Sequence, residues 1–255
     1  MRRIRITVAC ALLAGSMMVG ATIATAAATT IYVQALAAAD RTAQDRERDA
    51  RDHPAEVLRF AGFRPGMKIA DLFGGGGYYS EILEHVVGPH GQVLLLNNPP
   101  YASFAKDDLA ARFRDGRLAR IERRVVPSED LGLGRGTLDG ALFVMSYHDL
   151  YFEHGADFPH IDAGQFLDQV YRALKQGGRL LVVDHAAIAG SGSAAAQTLH
   201  RIDEQYAVKD FEAHGFVLAG RYEGLRSAAD DHTKLVFDPA IRGHTDRFVH
   251  LYRRR

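Results

Sequence analysis

The feature that most constrains this chain is an alternation of short apolar runs with stretches of helical spacing. Met67 to Phe73 is a run of strand length, and Tyr79, Ile82, Leu83 and Val86 then share one helical face. Gln92 to Leu96 (QVLLL), Arg120 to Val126, Leu138 to Ser146 (LDGALFVMS) and Arg179 to Asp184 (RLLVVD) continue the series as strands. Phe104 to Arg117, Ala163 to Lys175 and one long stretch from Ala194 to His214 read as helices. Phe216 to Glu223 and Arg247 to Tyr252 (RFVHLY) read as the last strands. Near the start of the body, His53 to Phe60 reads as a helix with Pro54 tolerated in its first turn. Apolar strands alternating with helices predict an α/β fold whose mostly parallel sheet is covered on both faces. Such a sheet places a ligand at the C-terminal ends of its strands.

The first strand runs straight into Asp71 to Ser80, DLFGGGGYYS. A phosphate-binding P-loop needs a lysine after its glycines, and none follows here. The dinucleotide fingerprint GxGxxG fails as well, because Tyr79 stands where its third glycine belongs. What remains is an acid, Asp71, followed by Gly74, Gly75, Gly76 and Gly77 leading into a helix. Each unneeded glycine costs about 0.5–1 kcal/mol against alanine in chain entropy. The run therefore predicts a close backbone approach to a ligand, with Asp71 accepting hydrogen bonds from an ammonium or hydroxyl group.

These residues resemble the first motif of the class I S-adenosylmethionine-dependent methyltransferases: an acid, a spacer, then alternating glycines, matched by Asp71, Gly75 and Gly77. The resemblance extends over about Asp52 to Tyr252, through RPGMKIADLFGGGGYYSEIL, TLDGALFVMSYHD and LKQGGRLLVVDH in the family's order. It implies a Rossmann-like, mostly parallel seven-stranded sheet with helices on both faces and an antiparallel edge strand. It also implies S-adenosylmethionine as cofactor, held by Asp71, Gly74 to Gly77, Asn97 at the end of the second strand and Glu129 after the third. Three positions depart from the pattern. Phe73 stands at the usual first glycine, and Asn97 replaces the acid that grips the ribose. The Val126-to-Asp130 segment aligns loosely with the adenine contact. More narrowly, HPAEVLRFAGFRPGM, MSYHDLYF, LHRIDE and VFDPAIRGHTDRFV are similar to a group of bacterial methyltransferase-like proteins that carry signal peptides.

Two strand ends carry histidine beside aspartate. Tyr147-His148-Asp149 follows the fourth strand and Asp184-His185 ends the fifth, so His148 and His185 are candidate bases and Asp149 a candidate orienting group. His148, Asp149, Asp184 and His185 also permit a divalent-metal reading, ranked below methyl transfer, and no metal ligand is assigned. His200 and Glu204 stand four apart and are expected on one helical face. Arg226, Arg242 and Arg247 can clamp an anion, although pairing with local acids is the simpler expectation. The function expected is methyl transfer to an oxygen or nitrogen of a small-molecule acceptor. The alternative is a non-catalytic ligand- or metal-binding protein on the same fold.

Charge excludes one class of partner. Lysine plus arginine and aspartate plus glutamate are both 31, and a balanced chain is a poor nucleic-acid binder. The N-terminus carries Arg2, Arg3 and Arg5, an apolar run to about Ile23, and small residues at Ala24-Thr25-Ala26 and again at Ala35-Leu36-Ala37. That pattern reads as a signal peptide or membrane anchor over 1–37, cleaved near 26 or 37, and it places the body outside the cytosol, in the periplasm. The membrane would be met only through this segment if it stays uncleaved. A polar tether or exposed helix is expected over 38–52 and a methyltransferase-like domain over 53–255. The one cysteine, Cys10, lies in the leader, so a cleaved chain has neither disulfides nor thiolate ligands.

Overall fold

The computed structural model describes residues 31–255, so the signal peptide or anchor expected over 1–37 lies outside the described residues up to residue 30. A helical stretch at 31–36 comes first, followed by α1 (Ala43–Asp52) and α2 (Pro54–Ala61). The alternation then proceeds as β1 (Lys68–Leu72), α3 (Tyr78–Val87), β2 (Gln92–Asn97), α4 (Pro99–Phe104), α5 (Lys106–Arg112), β3 (Ile121–Val125) and β4 (Leu138–Val144). It ends with α6 (Ala163–Ala173), β5 (Leu174–His185), α7 (Ala194–Leu199), α8 (Glu204–Ala213), β6 (Phe216–Arg221) and β7 (Arg247–Arg254).

The seven strands form one sheet in the order β3-β2-β1-β4-β5-β7-β6. Its first five strands are parallel to one another, and β7 runs antiparallel between β5 and β6. Because side chains alternate across a strand, the apolar runs feed two cores. Val93 and Leu95 of β2 pack with Ile82 and Leu83 of α3, while Leu94 and Leu96 pack on the opposite face with Phe166 and Leu167 of α6. This double burial is why the strands read as unbroken apolar runs. The expected Rossmann-like methyltransferase sandwich is the observed architecture.

Two expectations are revised. Of the tether or exposed helix expected over 38–52, the helix is what forms, and it is docked rather than free: Arg112 grips Asp45 at 2.8 Å and Arg247 reaches Asp52 at 2.7 Å. Its core is ionic, so hydrophobic patterning gave no sign of it. The long helix over Ala194 to His214 is broken into α7 and α8. His200 takes a left-handed conformation at φ 52°, and the fully buried Arg201 turns inward to Asp230, with bonds of 2.8 and 2.9 Å. Asp203 then caps α8 from the Gln205 N–H. His200 and Glu204 consequently do not share a helical face. Glu204 instead meets His250 and Arg226.

Candidate active site

The glycine loop lies at the C-terminal end of β1, in the centre of the sheet. Asp71 is buried and accepts the Ser80 hydroxyl at 2.7 Å. Burial pushes its carboxyl up to about 6, with the Ser80 bond opposing the shift. Gly74 packs directly on this carboxylate: a Cβ there would fall 2.5 Å from Asp71 Oδ2. Gly75 has φ 55°, and a Cβ added to it would meet no atom within 4 Å, so its outer face is open to a ligand. The Gly76 carbonyl accepts from Arg112 Nε at 2.7 Å, and Gly77 begins α3.

Asn97 reaches this loop from the end of β2. The Gly75 N–H donates to Asn97 Oδ1 at 3.0 Å, and Asn97 Nδ2 donates to the Gly75 carbonyl at 2.9 Å. Phe73, at φ 50°, is buried against Tyr101 (ring centroids 4.9 Å apart) and Phe166 (5.1 Å). A cleft of about 220 Å³ borders the loop between α1 and α5, lined among others by Asp45, Arg48, Gly74, Tyr78 and Arg112. Glu129 is exposed, and its backbone carbonyl accepts from Gln165 Nε2 at 3.4 Å.

The histidines gather at the ends of β4 and β5. Asp184, fully buried, accepts the His148 backbone N–H at 2.8 Å, bonds the His148 ring at Nδ1 over 2.7 Å and accepts the His185 backbone N–H at 2.7 Å. His148 Nε2 then lies 3.3 Å from Asp149 Oδ1, and His200 Nδ1 lies 3.4 Å from that same oxygen. The other oxygen of Asp149 accepts the Tyr101 hydroxyl. Burial works against a charge on His148, but the Asp149 and Asp184 carboxylates outweigh it and raise the imidazole to about 9. Burial lowers His185 well below the usual histidine range, and the positive charge of His148 adds to the effect. The two rings lie 5.9 Å apart between centroids and are driven in opposite directions. His185 Nδ1 is paired with Thr245 Oγ1 at 2.7 Å.

The sequence thus places Asp71, the glycines and Asn97 together, and it brings His148, Asp149 and His185 to one mouth. It does not bring Glu129 to either group. Sequence reading missed Tyr101, Thr245, Ser80 and the turn of His200 toward Asp149. Tyr101 joins the two halves, since its ring stacks on Phe73 and its hydroxyl meets Asp149. Its signal was faint: the Asn98 side chain caps α4 through the Tyr101 N–H, and an Asn-Pro-Pro turn announces such a start. Two of the three arginines follow the simpler expectation, for Arg226 pairs with Glu204 and Glu223, and Arg247 with Asp52, while Arg242 is exposed. A larger cleft of about 450 Å³ opens nearby, walled by Leu150, Phe152, Glu153, Ile161, Ser193 and Gln197.

No protein-family model matches the chain. Among curated proteins it is similar to the ubiquinone/menaquinone biosynthesis C-methyltransferase UbiE of Haemophilus ducreyi, 29% identical over 125 residues, covering 49% of this chain and 43% of that protein. The protein of the same name from Marinomonas sp. is 24% identical over 188 residues, covering 73% of this chain and 64% of its own length. The chain therefore spans less than two thirds of the curated relatives it matches. Among solved structures, a SAM-dependent methyltransferase from Aquifex aeolicus superposes with a TM-score of 0.56 at 17% identity, covering 78% of this chain and 88% of that one. The fold of this chain is thus the one found in SAM-dependent methyltransferases of solved structure.

Proposed function

We propose that this chain is a SAM-dependent methyltransferase acting on a small-molecule acceptor at the C-terminal mouth of the sheet. The observation that carries the reading is the open face of Gly75 beside the buried Asp71 carboxylate, on a sheet of methyltransferase order. On this reading Asp71, Gly74 to Gly77 and Asn97 hold the cofactor. When bound, it supplies a methyl group already activated on a sulfonium. The chain's own work is then alignment and proton removal.

We assign the base to His185, whose burial keeps a ring nitrogen unprotonated at the cost of basicity, whereas in the ion-free protein the Asp149 and Asp184 carboxylates favour the protonated form of His148. Thr245 holds the His185 ring in place through Nδ1. Such a base suits a hydroxyl, an amine or an acidic carbon, and the curated relatives are C-methyltransferases by name. The larger cleft beside Phe152 is the acceptor's place on this reading. The leader motivates a second part of the proposal, that the body works outside the cytosol.

Isothermal titration calorimetry on the purified full chain tests the cofactor reading. Heat of binding with S-adenosylhomocysteine, abolished by Asp71→Ala, is the expected result. No heat at millimolar ligand, or unchanged affinity in the variant, removes the reading.

A further inference from the structure

The group formed by His148, Asp149 and His200 is not consumed by the cofactor reading. Their candidate donor atoms all lie within 4.8 Å of one another. We propose that His148 Nε2, Asp149 Oδ1 and His200 Nδ1 form a binding site for a first-row transition dication such as Zn²⁺.

Distance is the first argument. Asp149 Oδ1 stands 3.3 Å from His148 Nε2 and 3.4 Å from His200 Nδ1. Charge-assisted hydrogen bonds between such groups are shorter, about 2.7–2.9 Å. Bonds of about 2.0–2.1 Å from a central ion put neighbouring donors about 3.0–3.4 Å apart, which is the spacing seen. Asp149 Oδ1 is therefore set wide of both imidazoles for a charge-assisted hydrogen bond and at the spacing that ligands of one small ion would have, with all three donors within 4.8 Å of one another.

The support around them is the second argument. Metal-bound histidines pass their other ring nitrogen to a carboxylate, which fixes the tautomer and aims the ligand atom. Asp184 does this for His148 at 2.7 Å, and Asp184 is itself anchored by two backbone N–H groups. Asp149 is held by the Tyr101 hydroxyl through one oxygen, which leaves Oδ1 for the ion. His200 is wedged between Phe152 (centroids 4.5 Å apart) and Phe237 (5.1 Å). A left-handed, non-glycine backbone costs about 1–2 kcal/mol, and at His200 it is this conformation that ends α7. The neighbouring buried Arg201–Asp230 pair holds the turn in place.

Charge and donor type choose the ion. One carboxylate in contact and a second behind it favour a dication, and two imidazoles out of three donors favour zinc, iron, cobalt or nickel over magnesium or calcium. The set differs from the one the sequence suggested: Asp184 stands behind His148 and His185 is paired with Thr245, while His200 takes their place. Three protein ligands leave positions open. Any use of them on an acceptor oxygen rests on the methyl-transfer reading, but the binding of the ion does not.

The test is a titration of the chelator-treated, dialysed full chain with Zn²⁺ by calorimetry and with Co²⁺ by visible absorption. One ion per chain is expected, with cobalt bands of low coordination number and Mg²⁺ giving no competing signal. His200→Ala trims a partly buried side chain on a turn that the buried Arg201–Asp230 pair holds independently, so the fold is expected to tolerate it, and it should weaken Zn²⁺ binding at least tenfold. His148→Ala should do the same where it folds. Binding of S-adenosylhomocysteine should persist in His200→Ala, which separates this site from the cofactor site. Absence of Zn²⁺ binding in the wild-type chain, undiminished binding in His200→Ala, or equal competition by Mg²⁺ overturns the proposal.

Discussion

Asn97 holds Gly75 by both ends of its amide, accepting the Gly75 N–H at 3.0 Å and donating to the Gly75 carbonyl at 2.9 Å. An acid at this position, as the methyltransferase pattern suggests, could make only the first bond. A carboxylate would also face the Gly75 carbonyl with no proton to offer. Asn97→Asp is therefore expected to destabilise the chain by about 1–3 kcal/mol, the cost of leaving a buried polar group badly paired. Urea unfolding of the two proteins at pH 7.5 reads this directly, and an unchanged midpoint would show that the loop does not depend on the bracket.

Asp71 gives a pH dependence whose sign can be worked out. Its folded pKa of about 6 lies above the ordinary carboxylate range, so the fold favours the protonated form. The stabilisation is fully present below about pH 4 and is lost as pH rises through about 6. Asp71→Asn stays neutral throughout and still offers an oxygen to the Ser80 hydroxyl. Relative to wild type it should be unchanged near pH 4 and more stable at pH 7.5, by on the order of 2–3 kcal/mol. Cofactor binding through the carboxylate should move the other way: stronger above pH 6 in wild type, and lost in the variant. Denaturant unfolding at both pH values, with calorimetry beside it, would expose an error of sign in either half.

The sheet was legible in the sequence because each central strand is buried on both faces. Runs such as QVLLL therefore carry no polar interruption, and their order with the helices fixes a crossover topology. The glycine loop was legible because four glycines in a row are costly unless backbone geometry requires them. Polar structure was much less visible. Nothing local marks α1 as docked, since Asp45 and Asp52 find their partners at Arg112 and Arg247, far along the chain. The same holds for His200, whose spacing to Glu204 reads as a helical pair. What separates them is the burial of Arg201 against Asp230, a contact across 29 residues that no helical periodicity encodes.

Phe73 is the departure from the family pattern with the clearest structural consequence. It occupies a left-handed conformation at φ 50° and also packs between Tyr101 and Phe166. Glycine would relieve backbone strain of about 1–2 kcal/mol but would empty a buried aromatic site, which usually costs about 3–5 kcal/mol. Phe73→Gly should therefore be less stable by roughly 1–4 kcal/mol, the difference of those two effects. It should also free the Tyr101 ring and loosen the hydroxyl's hold on Asp149. Thermal unfolding measures the first effect. A variant as stable as wild type would mean that the strain at Phe73 equals the value of its packing.

Should the N-terminal segment be removed as the sequence pattern suggests, Tyr32 distinguishes the two candidate cleavage sites. This side chain is 3% exposed, packs in the core on the α3 side of the sheet, and donates its hydroxyl to the Phe63 carbonyl at 2.6 Å. Cleavage near Ala37 would remove it, whereas cleavage after Ala26 would leave the whole 31–36 stretch in place. Losing a buried aromatic and its hydrogen bond costs about 3–5 kcal/mol, so a chain starting at residue 38 should unfold at markedly lower urea than one starting at residue 27. On the proposal that the body works outside the cytosol, the intact mass of the exported protein should accordingly place the mature N-terminus at Ala27. A mature chain beginning at residue 38 with full stability would remove Tyr32 from the folded core of the working protein.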